Sequence, residues 1–148
     1  MSTVSRRSIQ IARRWIGTPY RHQATHEGIG CDCLGLLRGV WRELYGAEPE
    51  VVPAYTSDWA EPQHEEVLWA AALRHLTPRP LDHPKPGDVV LFRMRDSTIA
   101  KHLGIQAELS PAATFLHAYA QHGVIESPLS APWARKIVAR FEFPEEVI

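Results

Sequence analysis

The sequence predicts an α+β domain, with N-terminal helices packed on a central antiparallel β-sheet. Two observations carry this: apolar residues recur at helical spacing in the first half of the chain, and short alternating runs bounded by turn residues fill the second half. Helices first and strands later argue for a segregated α+β arrangement over alternating β-α-β units. The 148 residues, 45% hydrophobic and 22% charged, suit one catalytic or binding domain over residues 1–148, and no repeat or linker divides them.

The first helix is signalled by Ile9, Ala12 and Ile16 on one side and stopped by Gly17, Thr18 and Pro19. A loop from Tyr20 to Gly30 leads to Asp32, a natural helix cap. A second helix follows with Cys33, Leu36, Leu37, Val40 and Leu44 on one side, closed by Gly46. Residues 47–63 read as a proline-containing loop and Glu65 to Leu76 as a third helix, with Val67, Leu68, Ala71, Ala72 and Leu76 inward. Pro86-Gly87 makes a turn. Strands are then expected over Val89–Phe92, His102–Leu109, Leu116–Ala120, Gly123–Glu126 and Lys136–Phe143, the last alternating through Ile137, Ala139, Phe141 and Phe143.

The formal net charge of −1 lacks the basic footprint of a nucleic-acid binder. No apolar stretch approaches the ~18 residues of a membrane span, and no apolar segment follows the N-terminal arginines as in a secretion signal, so synthesis as a soluble cytoplasmic product is expected. Cys31 and Cys33 lie too close together to staple a fold, so their value is chemical or nil. A one-residue gap also fits structural zinc poorly, and neither a metal nor another cofactor is expected.

A thiol reacts as thiolate, and an ordinary cysteine with pKa about 8.5 is only a few per cent ionised at neutrality. Cys33 falls in the first helical turn, where the dipole contributes roughly 0.3–1 kcal/mol against the ~2 kcal/mol needed to bring such a thiol to pKa 7. A histidine must therefore share the work, and His102 stands in an alternating strand that could aim it at the sheet face carrying the helix. His117, within Phe115–Tyr119 on the next strand, is the available group to fix the His102 tautomer, with His122 as its rival. His22, His26, His64, His75 and His83 read as solvated, Cys31 as a bystander, and the five tryptophans as packing residues.

Six segments, in order, resemble the NlpC-type cell-wall peptidases, papain-like cysteine hydrolases of peptidoglycan stem peptides. They are Gly17-Thr18-Pro19-Tyr20, Asp32-Cys33-Leu34-Gly35-Leu36, Pro86-Gly87-Asp88-Val89-Val90, His102-Leu103-Gly104-Ile105, Leu116-His117-Ala118 and Gly123-Val124. The resemblance implies a papain-like fold, with Cys33 as nucleophile, His102 as base and His117 as its orienting residue. It also implies that Tyr20 lies near the oxyanion, that Asp32 helps hold a substrate amine, and that the bond cut joins the D-glutamate γ-carboxyl to a diamino acid. The backbone N–H of Cys33 is a candidate oxyanion donor. The segments Gly39–Glu50 and Trp133–Pro144 further resemble bare catalytic domains encoded beside phage and gene-transfer-agent tail genes, which implies phage-like tail proteins as partners and action at the wall after delivery by a tail particle. Leu34 stands where many relatives have serine, and Arg21-His22-Gln23-Ala24 replaces the usual aromatic-glycine continuation, which implies a remodelled cleft wall. Amidase or acyl-transfer chemistry, and a non-enzymatic tail or wall-binding module, are the alternative readings.

Overall fold

A computed structural model describes residues 2–52, 55, 66–95 and 98–145. Helix α1 (Thr3–Arg14) starts at Ser2, whose hydroxyl accepts from the Ser5 amide at 3.0 Å, and buries Ile9, Ile11, Ala12 and the capping Trp15. It ends two residues before the expected Ile16, which is 47% exposed. The 20–30 segment is more ordered than a loop. Within it and just beyond it, β1 (Thr25–His26) and β2 (Gly30–Cys31) form a two-stranded ribbon that delivers the chain to α2 (Cys33–Tyr45). That helix matches the expectation at both ends: the Asp32 carboxylate caps it through the Gly35 amide at 2.7 Å, and Gly46 closes it.

The third helix, α3 (Val67–His75), has Glu66 at its N-cap position and ends one residue before the expected Leu76; Glu65, with most of the 47–63 loop including Trp59, and His64, lies outside the described residues. Strand β3 (Thr77–Arg79) follows, unannounced by sequence because it holds a proline. It pairs at the sheet edge, where a missing donor is tolerated. The remaining elements are β4 (Val89–Phe92), β5 (His102–Gln106), β6 (Thr114–Tyr119), β7 (Gly123–Pro128), the short helix α4 (Ala131–Ala134) and β8 (Ile137–Glu142). They build a six-stranded antiparallel sheet in the order β3-β8-β4-β5-β6-β7. Among the described residues no helix is long and apolar enough to cross a membrane.

The sheet is apolar on both faces, because different elements cover each. Val89, Leu91, Leu103, Ile105, Leu116 and Ala118 point to the helical side and pack with Trp15, Leu36 and Val40. Val90, Phe92 and Phe115 point the other way, beneath Leu129, Trp133 and Ile137 from the β7–β8 connection. The register of β4 on β8 shifts between Leu91 and Phe92. This irregularity breaks the expected alternation, sending Ile137 to the Trp133 side while Phe141 and Phe143 stay in the helical core.

Two of the sequence landmarks are joined in space. The Gly17 amide donates to Val124 O at 3.1 Å and the Val124 amide to Thr18 O at 2.9 Å. Gly123, at φ +71, passes so close that a Cβ there would sit 2.4 Å from Thr18 O, which restricts the position to glycine. A third landmark is anchored by charge. Buried Asp88 takes Arg79 at 2.9 Å and Arg140 at 3.1 Å, and Arg140 also donates to the Gln106 side chain at 3.0 Å, a hydrogen-bonded network tying β3, β4, β5 and β8 together.

Candidate active site

Cys33 is the first residue of α2, half-buried at one end of a cleft also lined by Tyr20, Asp32, Tyr55, Lys101 and His102. Its thiol approaches Lys101 O at 3.7 Å, so the sulfur lies against the start of β5, beside His102. The sequence-predicted nucleophile and base thus share one cavity. Cys31 and Cys33 are both free, and Cys31 is fully buried in β2.

The placement of the base differs from expectation in one respect. His102 stands opposite Phe92 in the β4–β5 register, so its ring lies on the Trp133 face of the sheet and not on the face carrying the helices. The next residue, Leu103, is the one that faces the helices. Cys33 and His102 both line the cleft, with the thiol against Lys101 O at the start of β5, while β5 pairs with β6 through Ile105–Leu116 and Gln106–Phe115.

His102 Nε2 lies 2.8 Å from His117 Nδ1, so the two histidines singled out in the sequence are neighbours. His117 Nε2 in turn lies 2.9 Å from Ser127 Oγ. Gly104 sits between the two histidine strands: a Cβ there would come within 2.9 Å of the Phe115 ring and 3.1 Å of Leu116 O. The imidazoles are boxed by aromatic rings, with Phe115 4.2 Å from His117 and Trp133 5.7 and 5.2 Å from His102 and His117 between centroids. The rival His122 is exposed and stacks on Tyr119 without reaching His102.

Burial dominates the electrostatics. It pushes the Cys33 thiol up to about 12, helped by the Asp32 carboxylate and opposed by backbone hydrogen bonding from Leu103, Leu34 and Cys33 itself. Burial, with neighbouring His117, pushes His102 down to about 3; burial, with His122, pushes His117 down to about 4. Burial thus favours the neutral form of the thiol and of the imidazole, each taken alone. Tyr20, raised to about 12 by burial and then by Cys33 and Asp32, stays protonated and keeps an O–H to donate.

Asp32 does structural work on every side. One carboxylate oxygen caps α2; the other accepts from the Gln23 amide at 2.7 Å and from the Tyr55 hydroxyl. The expectation that it holds a substrate amine meets a carboxylate that is 3% exposed and already engaged three times. The sequence reading missed Tyr55, Ser127 and the part played by His22, which is exposed as expected but also lines the cleft, with its Nε2 2.8 Å from Tyr55 O. No periodicity or motif marks these positions. Only the departure at Arg21–Ala24 hinted that the wall there is built differently.

The model of the NlpC/P60 family matches residues 17–141, a span running from the first landmark through β8. The chain belongs to the NlpC/P60 family. Over 137 residues it is 31% identical to the gamma-DL-glutamyl hydrolase of Bacillus subtilis (strain 168), an alignment covering 90% of this chain and 29% of that protein. An NLP/P60 family protein of Staphylococcus aureus subsp. aureus Mu50, similar to a lipoprotein, superposes with TM-score 0.65 at 17% identity, covering 99% of this chain and 43% of that one. An NlpC/P60 family protein of Bacillus cereus ATCC 10987 gives TM-score 0.64 at 18% identity, covering 94% and 40%. The chain thus spans less than half the length of each of these relatives, and the structural likenesses establish the shared NlpC/P60 fold.

Proposed function

We propose that this NlpC/P60 domain is a cysteine peptidase that hydrolyses peptidoglycan stem peptides at the bond between the γ-carboxyl of D-glutamate and the following diamino acid. The observation that carries the reading is Cys33 and His102 lining one cleft, with buried His117 behind them, its Nδ1 2.8 Å from His102 Nε2. The γ-glutamyl part is supported by the resemblance of the motifs and by the name of the Bacillus subtilis relative.

In this mechanism His102 Nδ1 takes the thiol proton as Cys33 attacks the carbonyl carbon, so that charge appears only as the bond forms. The oxyanion is met by the Cys33 amide at the start of α2 and by the Tyr20 hydroxyl. His102 then gives its proton to the leaving amine. Water, deprotonated by the same imidazole, clears the thioester. Asp32 acts by fixing the α2 start and the 20–32 loop, and so positions both oxyanion donors.

Digestion of purified peptidoglycan, with products identified by mass spectrometry, tests the proposal. New N-termini on the diamino acid are expected from wild type and from Cys31→Ala and not from Cys33→Ala; a Cys33→Ala protein as active as wild type refutes it. The same spectra separate hydrolysis from amidase or acyl-transfer chemistry. Delivery in a phage-like tail is a further part of the proposal, supported by the likeness of segments 39–50 and 133–144, and is tested by finding the chain in purified particles.

A further inference from the structure

Ser127 stands outside every motif, yet its hydroxyl is the last polar group on the line that begins at the thiol. On β7 it sits diagonally from His117, whose direct partner is Ile125, and the diagonal offset on one sheet face is within reach of a histidine ring. Both nitrogens of His117 are engaged: Nδ1 with His102 Nε2 at 2.8 Å and Nε2 with Ser127 Oγ at 2.9 Å. Around them are the rings of Phe115, Tyr119 and Trp133.

A neutral imidazole carries one N–H, so two chained imidazoles permit two proton arrangements. In the first, His102 Nε2–H donates to His117 Nδ1, His117 Nε2–H donates to Ser127 Oγ, and His102 Nδ1 is left bare toward the thiol. In the second, the serine hydroxyl donates to His117 Nε2, His117 Nδ1–H donates to His102 Nε2, and a proton on His102 Nδ1 blocks transfer from Cys33. Once His102 has taken the thiol proton, both its nitrogens carry hydrogen and only the first arrangement gives His102 Nε2–H an acceptor. His117 Nε2–H must then end on an oxygen.

We propose that Ser127 is a positioning residue for the thiol chemistry, accepting the His117 Nε2–H so that His117 presents a bare Nδ1 to His102 throughout the reaction. The role rests on the reading of His102 as the base of Cys33. Removing the acceptor leaves a buried donor unpaired at the moment when His102 becomes charged, a loss of the size that lowers kcat by roughly tenfold to a hundredfold. Substrate touches none of this, so KM stays within about twofold.

The test compares Ser127→Thr, which keeps the hydroxyl, with Ser127→Val, which has the same shape without it. Long-range proton–nitrogen correlation spectra of histidine-labelled protein read the tautomers directly, without substrate. Wild type and Ser127→Thr are expected to show His117 protonated at Nε2 and His102 bare at Nδ1, and Ser127→Val a mixture that includes His117 protonated at Nδ1. With a stem peptide, Ser127→Thr should retain kcat and Ser127→Val should lose it. Identical tautomer populations in the Thr and Val variants overturn the proposal even where peptidase activity is found. A tautomer change in a protein that cuts no stem peptide leaves the Ser127 role standing and removes the peptidase reading alone.

Discussion

The burial of Cys33 makes a quantitative demand on its partner. With the thiol at about 12, the fraction ionised by itself at pH 7 is roughly 10⁻⁵, against a few per cent for an ordinary cysteine, a deficit of about a thousandfold. In the proposed mechanism, reactivity of the wild-type thiol near neutrality comes from proton transfer to His102, since the charges created there attract each other while each alone is penalised. Replacing His102 with leucine keeps an apolar side chain against Phe92 and Trp133 and removes only the proton acceptor. The assay is the iodoacetamide alkylation rate of Cys33 from pH 5 to 10, read by peptide mass spectrometry, with Cys31 as the buried internal control, also raised to about 12. In His102→Leu, Cys33 is expected to react about a thousandfold more slowly than free cysteine at pH 7 and to climb tenfold per pH unit up to at least pH 10. Wild type should be faster than the variant throughout the neutral range. A variant thiol within tenfold of free cysteine at pH 7 refutes the reasoning, because it would mean that the helix start ionises the sulfur without the imidazole.

Asp32→Ala should lower unfolding free energy in urea by about 2–4 kcal/mol, through loss of the α2 cap and of the acceptor for the Gln23 amide and Tyr55 hydroxyl, with Asp32→Asn recovering part of it. Gly104→Ala places a methyl against the Phe115 ring and Leu116 O and should cost about 1–3 kcal/mol in the same measurement, with a larger loss of activity than the stability change explains as β5 and β6 are pushed apart beside His102 and His117. Both histidines have folded pKa values below the unfolded one near 6.5, so the unfolded chain binds more protons below that pH and stability falls with acidification. The contribution is fully present above about 6.5 and is lost toward 4 for His117 and toward 3 for His102, at up to about 1.4 kcal/mol per pH unit for each. Thermal melts between pH 7 and 5 should show a steeper decline for wild type than for a His102→Leu/His117→Phe double variant; equal slopes would contradict the burial of neutral imidazoles.

The parts of the site that could be read from sequence are those written in local grammar. Asp32 and Gly46 bracket α2 and so place Cys33 at a helix start, and isolated histidines in the apolar runs around 102 and 117 are conspicuous in a strand. Which face those strands turn toward the helices is a matter of register, and register depends on partners distant in sequence. Leu103 and Ile105 compete with His102 and Gly104 for the helical side, and an alternating pattern is silent about the winner until Phe92, Phe115 and Trp133 are seen to need covering on the other face. Trp133 comes from a four-residue helix too short to leave a periodic signal. Tyr55 meets its neighbours through one hydroxyl and one backbone carbonyl, and Ser127 through one hydroxyl, and such single groups in a loop or on a strand carry no pattern at all.

That the imidazoles lie on the face away from the helices has a chemical consequence. A histidine packed directly under α2 would share the helix's core, whereas here His102 and His117 are enclosed by rings that offer little hydration to either protonation state. The thiol lies at the start of β5, where the backbone of Lys101 and Leu103 borders the sulfur. Cys33 at the α2 start and His102 in the aromatic layer thus both line the cleft. In the proposed mechanism, a substrate carbonyl entering this cleft excludes water as the proton moves, which is when low local polarity makes the attraction between thiolate and imidazolium strongest.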